Sequence, residues 1–276
     1  MNMIYFLKRK KIASENIDYI CVPYKRFMLK EERQQTILNE VELHNRILLT
    51  DIAETLDVSI DTIRRDVKEL DSEQKLRKVH GGAISLGFTT NSTRNTNIYA
   101  LDEKIKIAKK ASTLLKNGGV IFIDGGTTCL ELARMIPEDL EITCFTLSLP
   151  VAMELTAKTN VTVIFIGGQI SKDSQIAIGA NAIHNLSEIK VDYSFIGTGY
   201  VDSVYGMTEF DWDIVQLKKA VIKAAKKTVL LCISEKLNSQ HRYKTCDINA
   251  INTMITELPP ENQLLNSFRN HDIRIL

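Results

Sequence analysis

The chain has 276 residues, 44% of them hydrophobic, and its 35 Lys and Arg nearly balance 34 Asp and Glu, for a formal net charge of +1. This length and composition predict two ordinary folded domains, and no apolar run is long enough for a transmembrane helix. The near-neutral total gives no indication of nucleic-acid binding, so such a function must rest on how the charges are distributed.

The cysteines show no C-x-x-C spacing and are odd in number: Cys21, Cys129, Cys144, Cys232 and Cys246. Cys144 and Cys232 lie in apolar runs typical of strands. This favours buried free thiols in a reduced, cytoplasmic protein over disulfides or a metal site. We expect no metal and no cofactor.

Residues 1–27 form a leader that contains Lys8-Arg9-Lys10-Lys11 but lacks the apolar segment of a signal peptide. We expect this leader to be unstructured or not translated. The alternative is a basic arm that contacts DNA.

Residues 28–84 predict a small helical domain. The apolar spacing indicates a helix, a short strand, a shorter helix, a tight turn and a third helix, at residues 30–43, 47–49, 50–56, 57–58 and 59–70. Ser59 is a suitable N-cap for the third helix, and Ile63, Val67 and Leu70 form one apolar stripe along it. Two short helices joined by a tight turn are typical of a helix-turn-helix.

The third helix carries adjacent arginines, Arg64 and Arg65, near its N-terminus. The helix dipole disfavours cations there, which indicates an external anion or base edge as their partner. Residues 75–83 then alternate apolar and basic side chains before a glycine pair, as the wing of a winged helix would. The alternative is a solvated amphipathic helix with incidental arginines.

Charge in this domain is unevenly distributed. Residues 28–84 hold nine Lys and Arg against twelve Asp and Glu, whereas residues 64–80 hold six basic and four acidic side chains. The basic side chains therefore concentrate on the third helix and the wing, where DNA would bind.

Residues 85–100 lack periodicity and are rich in Asn, Thr and Ser, which predicts a linker. Residues 101–276 then alternate helices with β-branched apolar runs. The first helix is predicted at 104–116 with Ile105 facing inward, and strands are predicted at 120–123, 142–146, 161–166, 191–196, 228–233, 251–256 and 273–275. Apolar strands between helices indicate an α/β domain with a largely parallel sheet covered on both faces.

The first of these strands ends in Asp124-Gly125-Gly126-Thr127-Thr128 and leads directly into a helix. Glycines let backbone amides approach an anion, threonine hydroxyls add donors, and the helix N-terminus favours negative charge. This predicts a phosphate cradle, against the alternative of a tight turn that merely needs glycine. The loop is neither a Walker A motif nor G-x-G-x-x-G, so nucleotide binding is not predicted.

Further candidate ligand residues follow other strands or lie on a nearby helix: Gly167, Gly168, Gly197, Lys218 and Lys236. The carboxyl ends of parallel strands meet at one edge of a sheet. Together with Asp124, these residues suit a small polyhydroxylated phosphate ester.

The run LTDIAETLDVSIDTIRRDVKELDSEQKLRKVHGGAI resembles the N-terminal signature of the DeoR family of bacterial transcription regulators, with its TIRRD recognition helix and RVHGGA-like wing. Here these motifs are residues 62–66 and 78–83. The resemblance implies DNA contacts from Ser59, Thr62, Arg64, Arg65, Lys68, Arg77, Lys78 and His80. Residues 28–33 are similar to the usual start of such regulators, so we expect translation to begin at Met28.

The second half also resembles this family, whose effector domain is similar to ribose-phosphate isomerase and glucosamine-phosphate deaminase folds. The matching segments are residues 124–128, 167–168, 192–197 and 206–208. Two departures stand out. Where the family has T-N-S, this chain has Leu147 in place of the asparagine. Where the family has D-S-S-K, this chain has Ile233 in place of the aspartate.

The resemblance implies a DNA-binding regulator, expected to be a repressor of a carbohydrate-metabolism operon, controlled by a phosphorylated sugar. Its partners would be double-stranded operator DNA and that effector, with no membrane, and paired half-sites imply a homodimer or homotetramer. One alternative is an isomerase-like or deaminase-like enzyme with Asp124 or Asp192 as general base, which we do not favour. The other is a constitutive DNA-binding protein with a degenerate sensor.

Overall fold

The structure is a computed structural model that describes residues 5–9, 19–23, 28–44, 46–86 and 98–276. In the predicted leader, strands β1 (Tyr5–Arg9) and β2 (Tyr19–Pro23) pair antiparallel. The remainder of the leader, and residues 87–97 of the predicted linker, lie outside the described residues.

The N-terminal domain is a winged helix. Its elements are α1 (Lys30–His44), β3 (Arg46–Leu48), α2 (Leu49–Thr55), α3 (Ile60–Ser72), β4 (Arg77–Val79) and β5 (Gly82–Ile84). The strands form an antiparallel sheet in the order β3-β5-β4. Ile37 and Val41 of α1 are fully buried against Ile63 and Val67 of α3. The apolar stripe of the third helix therefore faces the core, as predicted.

The turn between α2 and α3 depends on Asp57, whose φ of 51° lies in the left-handed region. Asp tolerates this conformation better than most residues. The tight turn predicted at 57–58 is confirmed.

The C-terminal domain is built on a seven-stranded parallel sheet with the order β17-β16-β14-β11-β6-β7-β8. The strands of this sheet are β6 (Val120–Ile123), β7 (Ile142–Thr146), β8 (Val161–Phe165), β11 (Val191–Gly197), β14 (Ala225–Leu231), β16 (Thr253–Ile255) and β17 (Arg274–Ile275). The helices are α4 (Leu101–Ser112), α5 (Thr127–Met135), α6 (Leu149–Thr156), α7 (Ala180–Ser187) and α8 (Trp212–Ala224).

Both faces of this sheet are covered. In β6, Ile121 and Ile123 belong to the hydrophobic cluster under α4, α5 and α6, whereas Phe122 belongs to the cluster under α7 and α8. This alternation explains why the strands are apolar throughout. The predicted α/β class is confirmed.

Strands β6, β7 and β8 lie side by side in chain order. The chain then returns and places β11 on the other side of β6. The strand order therefore reverses between β6 and β11. In such sheets a crevice opens at this reversal, beyond the carboxyl ends of the strands, and ligands bind there.

Two smaller sheets were not predicted. The first contains β12 (Tyr200–Asp202), β13 (Gly206–Glu209) and β15 (Tyr243–Cys246), and the second pairs β9 (Gln169–Ile170) with β10 (Ala177–Ile178). Gly206 is required in β13 because its φ is +81° and a Cβ there would lie 2.1 Å from the carbonyl oxygen of Cys246.

The first helix of this domain differs from its prediction. It begins at Leu101 rather than residue 104, and Ile107 rather than Ile105 is fully buried.

Cys129, Cys144 and Cys232 are buried free thiols, and Cys246 is half-buried. No helix among the described residues combines the length and apolar character needed to cross a membrane.

Candidate DNA surface and effector cavity

The recognition helix α3 carries its cations on the face opposite its core stripe. Arg64, Arg65 and Lys68 are exposed, and Arg64 pairs with Asp61 one turn earlier. Ser59 caps the helix, since its Oγ accepts a hydrogen bond from the Thr62 amide at 3.2 Å. The N-cap prediction is confirmed.

The wing lies beside the recognition helix. The Lys78 amide donates to Asp71 Oδ1 of α3 at 3.0 Å. Arg77, Lys78 and His80 are exposed. We call the predicted contact residues together the candidate DNA surface: Ser59, Thr62, Arg64, Arg65, Lys68, Arg77, Lys78 and His80. Their contact with DNA stays a prediction.

Asp66, the acid of the TIRRD motif, has a structural role that the sequence analysis missed. The residue is 3% exposed, and its carboxylate accepts two hydrogen bonds from the Arg33 guanidinium of α1, at 2.5 and 3.1 Å. A buried bidentate pair fixes the angle between two elements. Asp66 therefore orients the recognition helix on α1.

A cavity of about 170 Å³ opens at the reversal of strand order between β6 and β11. We call it the effector cavity. A cavity of ~150 Å³ can hold a six-membered carbon ring, so this one has room for a ligand of at least that size. Eight of the ten predicted effector residues line it: Asp124, Gly125, Gly126, Thr127, Thr128, Gly197, Lys218 and Lys236.

The loop after β6 has the geometry predicted for an anion cradle. Gly126 has a φ of +102° and immediately precedes α5, whose first residues are Thr127 and Thr128. A Cβ on Gly125 would lie 2.7 Å from Ile176 Cγ2. Glycines there keep the backbone open toward the cavity, and the free amides of the first turn of α5 lie at its wall.

Behind the cradle lies a buried charge cluster of Lys218, Glu209 and Asp124, each less than a tenth exposed. Lys218 Nζ donates to Glu209 Oε1 and, at 2.8 Å, to the Gly197 carbonyl, and it lies 4.0 Å from Asp124 Oδ2. Burial raises the pKa of Asp124, although Lys218 opposes the shift. Burial also works against the charged form of Lys218, but Glu209 and Asp124 outweigh it and raise its pKa.

Two further lysines face the cavity. Lys236 Nζ donates to the Thr198 carbonyl at 3.0 Å, and Lys104 Nζ donates to the Tyr99 carbonyl. Burial, together with the charge of Lys236, lowers the pKa of Lys104 to about 8. Lys104 is therefore a cation at neutral pH that loses its charge as the pH rises above 8.

Gly167 and Gly168 do not line the cavity. A Cβ on Gly168 would lie 2.8 Å from the Ile178 carbonyl oxygen, so this glycine allows close packing beside β10. Of the two family departures, Ile233 lines the cavity, whereas Leu147 is a core residue 1% exposed. The loss of polarity at the cavity wall is therefore confined to Ile233.

Asp192 lies away from the effector cavity. It is at the start of β11, where its carboxylate accepts from the Val120 amide at 3.0 Å and from Lys226 at 2.8 Å. This is the amino end of the parallel strands, whereas the cavity is at their carboxyl end. The hypothesis of Asp192 as a general base for a ligand in this cavity is therefore wrong.

The sequence analysis missed that the winged helix forms part of the cavity wall. His44, Arg46, Ile84 and Ser85 all line it. His44 Nδ1 donates to the Gly199 carbonyl at 3.1 Å, and its ring stacks on Tyr200 with centroids 4.1 Å apart. No local pattern in the sequence signals these contacts, because the residues that make them are far apart in the chain. His44 and Gly199, for example, are separated by 155 positions.

A second set of contacts joins the domains outside the cavity. Asp51 of α2 accepts from His241 Nε2 at 3.0 Å and from Arg242 Nη2 at 2.8 Å. Asp51 belongs to the helix that precedes the recognition helix. The contacts between the domains thus come from α1, β3 and α2, which pack beside the recognition helix and the wing that carry the candidate DNA surface.

Residues 33–87 match the family described as the DeoR-like helix-turn-helix domain, and residues 100–258 match the DeoR C terminal sensor domain. The HTH-type transcriptional regulator GolR of Listeria innocua serovar 6a is 31% identical over 88% of this chain and 96% of that protein. The glycerol-3-phosphate regulon repressor of Escherichia coli (strain K12) is 27% identical over 90% and 99%. The solved ribose 5-phosphate isomerase A of Methanocaldococcus jannaschii is 23% identical over 49% of this chain and 54% of that one, with a TM-score of 0.37.

Proposed function

The chain belongs to the DeoR family of transcription regulators, and we propose from this premise that it represses a carbohydrate-metabolism operon under the control of a phosphorylated sugar. The effector would bind in the effector cavity and change the affinity of the candidate DNA surface for its operator. Such coupling between two sites is typically worth ~1–3 kcal/mol.

One observation carries this proposal: the anion cradle before α5 opens into a cavity that the DNA-binding domain also lines. A phosphate group would accept hydrogen bonds from the amides of residues 126–128 and from the hydroxyls of Thr127 and Thr128. The remainder of the ligand would then lie between the two domains.

The other charged groups suit the hydroxyls of a sugar. Carboxylates accept from hydroxyls and ammonium groups donate to them, and Asp124, Glu209 and Lys236 all line the cavity. Ile233 adds an apolar wall, which fits a carbon chain better than a further hydroxyl. The name of the Escherichia coli relative, a glycerol-3-phosphate regulon repressor, supports a small phosphorylated polyol or sugar.

The DNA partner would be contacted by the candidate DNA surface. Base readout would come from α3, and phosphate contacts would come from the wing. One winged helix covers a single half-site, so we propose a homodimer or homotetramer. Sedimentation velocity of the full chain measures this directly, and a monomer at operator-binding concentrations would contradict it.

The test of the proposed function is a titration of labelled DNA from upstream of the protein's own gene neighbourhood, at fixed salt, with and without phosphorylated sugars. Specific binding that one phosphorylated sugar reverses is the expected result. Specific binding unaffected by every compound would favour the alternative of a constitutive DNA-binding protein. Turnover of ribose 5-phosphate by the purified protein would favour the enzyme alternative.

A further inference from the structure

Arg46 is the first residue of β3 and belongs to the DNA-binding domain, yet its side chain lines the effector cavity. It lies at the boundary of the two domains, next to Asp173, Phe210 and Asp211 of the C-terminal domain. It is thus a DNA-domain cation at the wall of a cavity proposed to hold an anionic ligand.

The guanidinium of Arg46 is held loosely. Its Nη1 lies 3.8 Å from Asp173 Oδ2 and 3.8 Å from Asp211 Oδ2, and its carbon lies 5.1 Å from the centre of the Phe210 ring. Charge-assisted hydrogen bonds are about 2.7–2.9 Å long, so these two carboxylates attract the guanidinium without accepting hydrogen bonds from it.

Two buried polar atoms at this wall lack a hydrogen-bond partner among the described residues: Arg46 Nε and Ser174 Oγ. Both residues line the effector cavity. A buried polar atom without a partner is destabilising, so such atoms mark places where another group binds. One donor and one hydroxyl suit the oxygen of a sugar hydroxyl or of a phosphate.

Arg46 also has room to move. It lines a second cavity of about 170 Å³ between the domains, together with Asp51, Tyr200 and His241. The side chain therefore forms part of the partition between two open spaces. A ligand could draw it into the effector cavity without displacing packed core residues.

We propose that Arg46 is an effector-binding residue supplied by the DNA-binding domain. On the proposed function, the phosphate of the effector occupies the cradle, and an oxygen at its far end binds Arg46 Nε and Ser174 Oγ. The ligand then bridges the two domains. The effector site is complete only when the winged helix is docked on the C-terminal domain.

This arrangement explains how effector binding would affect the candidate DNA surface. Strand β3 pairs with β5 of the wing and leads directly into α2, which precedes the recognition helix. An effector that binds Arg46 favours the docked arrangement over all others. If the docked arrangement binds the operator with a different affinity, operator affinity then changes by at most the ratio of effector affinities for the two arrangements.

The test compares Arg46→Met with a matched control, Arg242→Met. Both substitutions remove an arginine at the domain boundary, but Arg242 binds Asp51 and does not line the effector cavity. Calorimetry at fixed salt would measure binding of inorganic phosphate, glycerol 3-phosphate, ribose 5-phosphate and fructose 6-phosphate to the full chain. Ser174→Ala provides a second, milder variant, and urea unfolding checks that each variant folds.

For the sugar or polyol phosphate that binds wild-type protein best, we expect Arg46→Met to weaken binding at least tenfold and to abolish its effect on operator affinity. Inorganic phosphate, which fills only the cradle, should bind this variant within about twofold of wild type. Arg242→Met should retain both binding and operator response, and Ser174→Ala should weaken binding severalfold.

The outcomes separate the two proposals. If wild-type protein binds no compound of the panel, the proposed function fails and this inference fails with it. If wild-type protein binds and Arg46→Met binds equally well, only the role of Arg46 is overturned. Equal losses in Arg46→Met and Arg242→Met would also overturn it, because domain docking alone would then account for the effect.

Discussion

The candidate DNA surface and the effector cavity both depend on basic side chains, but they hold them in opposite environments. Arg64, Arg65 and Lys68 are exposed on one face of α3. Lys218 is 8% exposed and is surrounded by Glu209 and Asp124. Solvated cations are available to a polyanion without affecting the fold, whereas buried charges depend on one another.

The sharpest test of this contrast is Lys218→Met. Removing the cation leaves two buried carboxylates unpaired, so we expect the free energy of unfolding to fall by about 3–5 kcal/mol. Urea unfolding monitored by circular dichroism measures it. The control is Lys223→Met on the exposed face of the same helix, where a change within about 0.5 kcal/mol is expected. A loss below about 1 kcal/mol for Lys218→Met would show that the cluster is not mutually dependent.

The cradle should affect ligand binding rather than the fold. Thr127→Ala combined with Thr128→Ala removes two hydroxyl donors, each worth about 1.5 kcal/mol or more toward a charged group. We expect effector affinity to fall by about 3 kcal/mol and operator release to be lost, while operator binding is retained. The exposed Thr113→Ala on the preceding loop is the control. A normal effector response in the double variant would place the phosphate elsewhere.

Substitutions on the candidate DNA surface should weaken operator binding without changing the stability of the fold. Arg65→Ala should weaken specific operator binding by about 1–3 kcal/mol if the guanidinium reads a guanine, with unchanged unfolding. Fluorescence anisotropy at two salt concentrations measures this, and Arg274→Ala in the distant strand β17 serves as the control. Operator affinity equal to wild type would remove Arg65 from the contact set.

The stability of the contact between the two domains should depend on pH, because His44 of the DNA-binding domain is buried against Gly199 and Tyr200. Burial, with a contribution from Lys236, lowers the pKa of His44 from 6.5 to about 4. Between these values the unfolded chain binds more protons than the folded one, so stability falls as the pH decreases from 7 toward 4. Because of this group alone, the free energy of unfolding should be about 2 kcal/mol lower at pH 5 than at pH 7. His44→Gln should remove that difference, and an unchanged pH profile in this variant would contradict the assignment.

Much of each domain follows from local patterns. Ile63 and Val67 lie at helical spacing behind the Ser59 cap, and the structure places both in the core. The strands of the C-terminal sheet are apolar on both faces because helices cover both, so their class and order along the chain could be predicted. The loop 124–128 could be identified as a cradle because its glycines and threonines are consecutive.

The small sheet of β12, β13 and β15 could not be predicted in the same way. Its strands are three or four residues long, too short to establish an alternating pattern, and β15 pairs with β13 across 33 intervening residues, 210–242. For the same reason Glu209 was missed. Its importance comes from Lys218 and Gly199, which reach it from other elements.

By itself the sequence determined the two domain types, the basic face of the recognition helix and the loop that forms the cradle, because each is encoded in neighbouring residues. Only the tertiary structure decided that Gly167 and Gly168 lie outside the cavity and that His44 and Arg46 line it. The physical reason is that periodicity reports which face of an element is buried but not which distant surface covers it. Where the two domains meet is determined by packing between segments more than 100 residues apart.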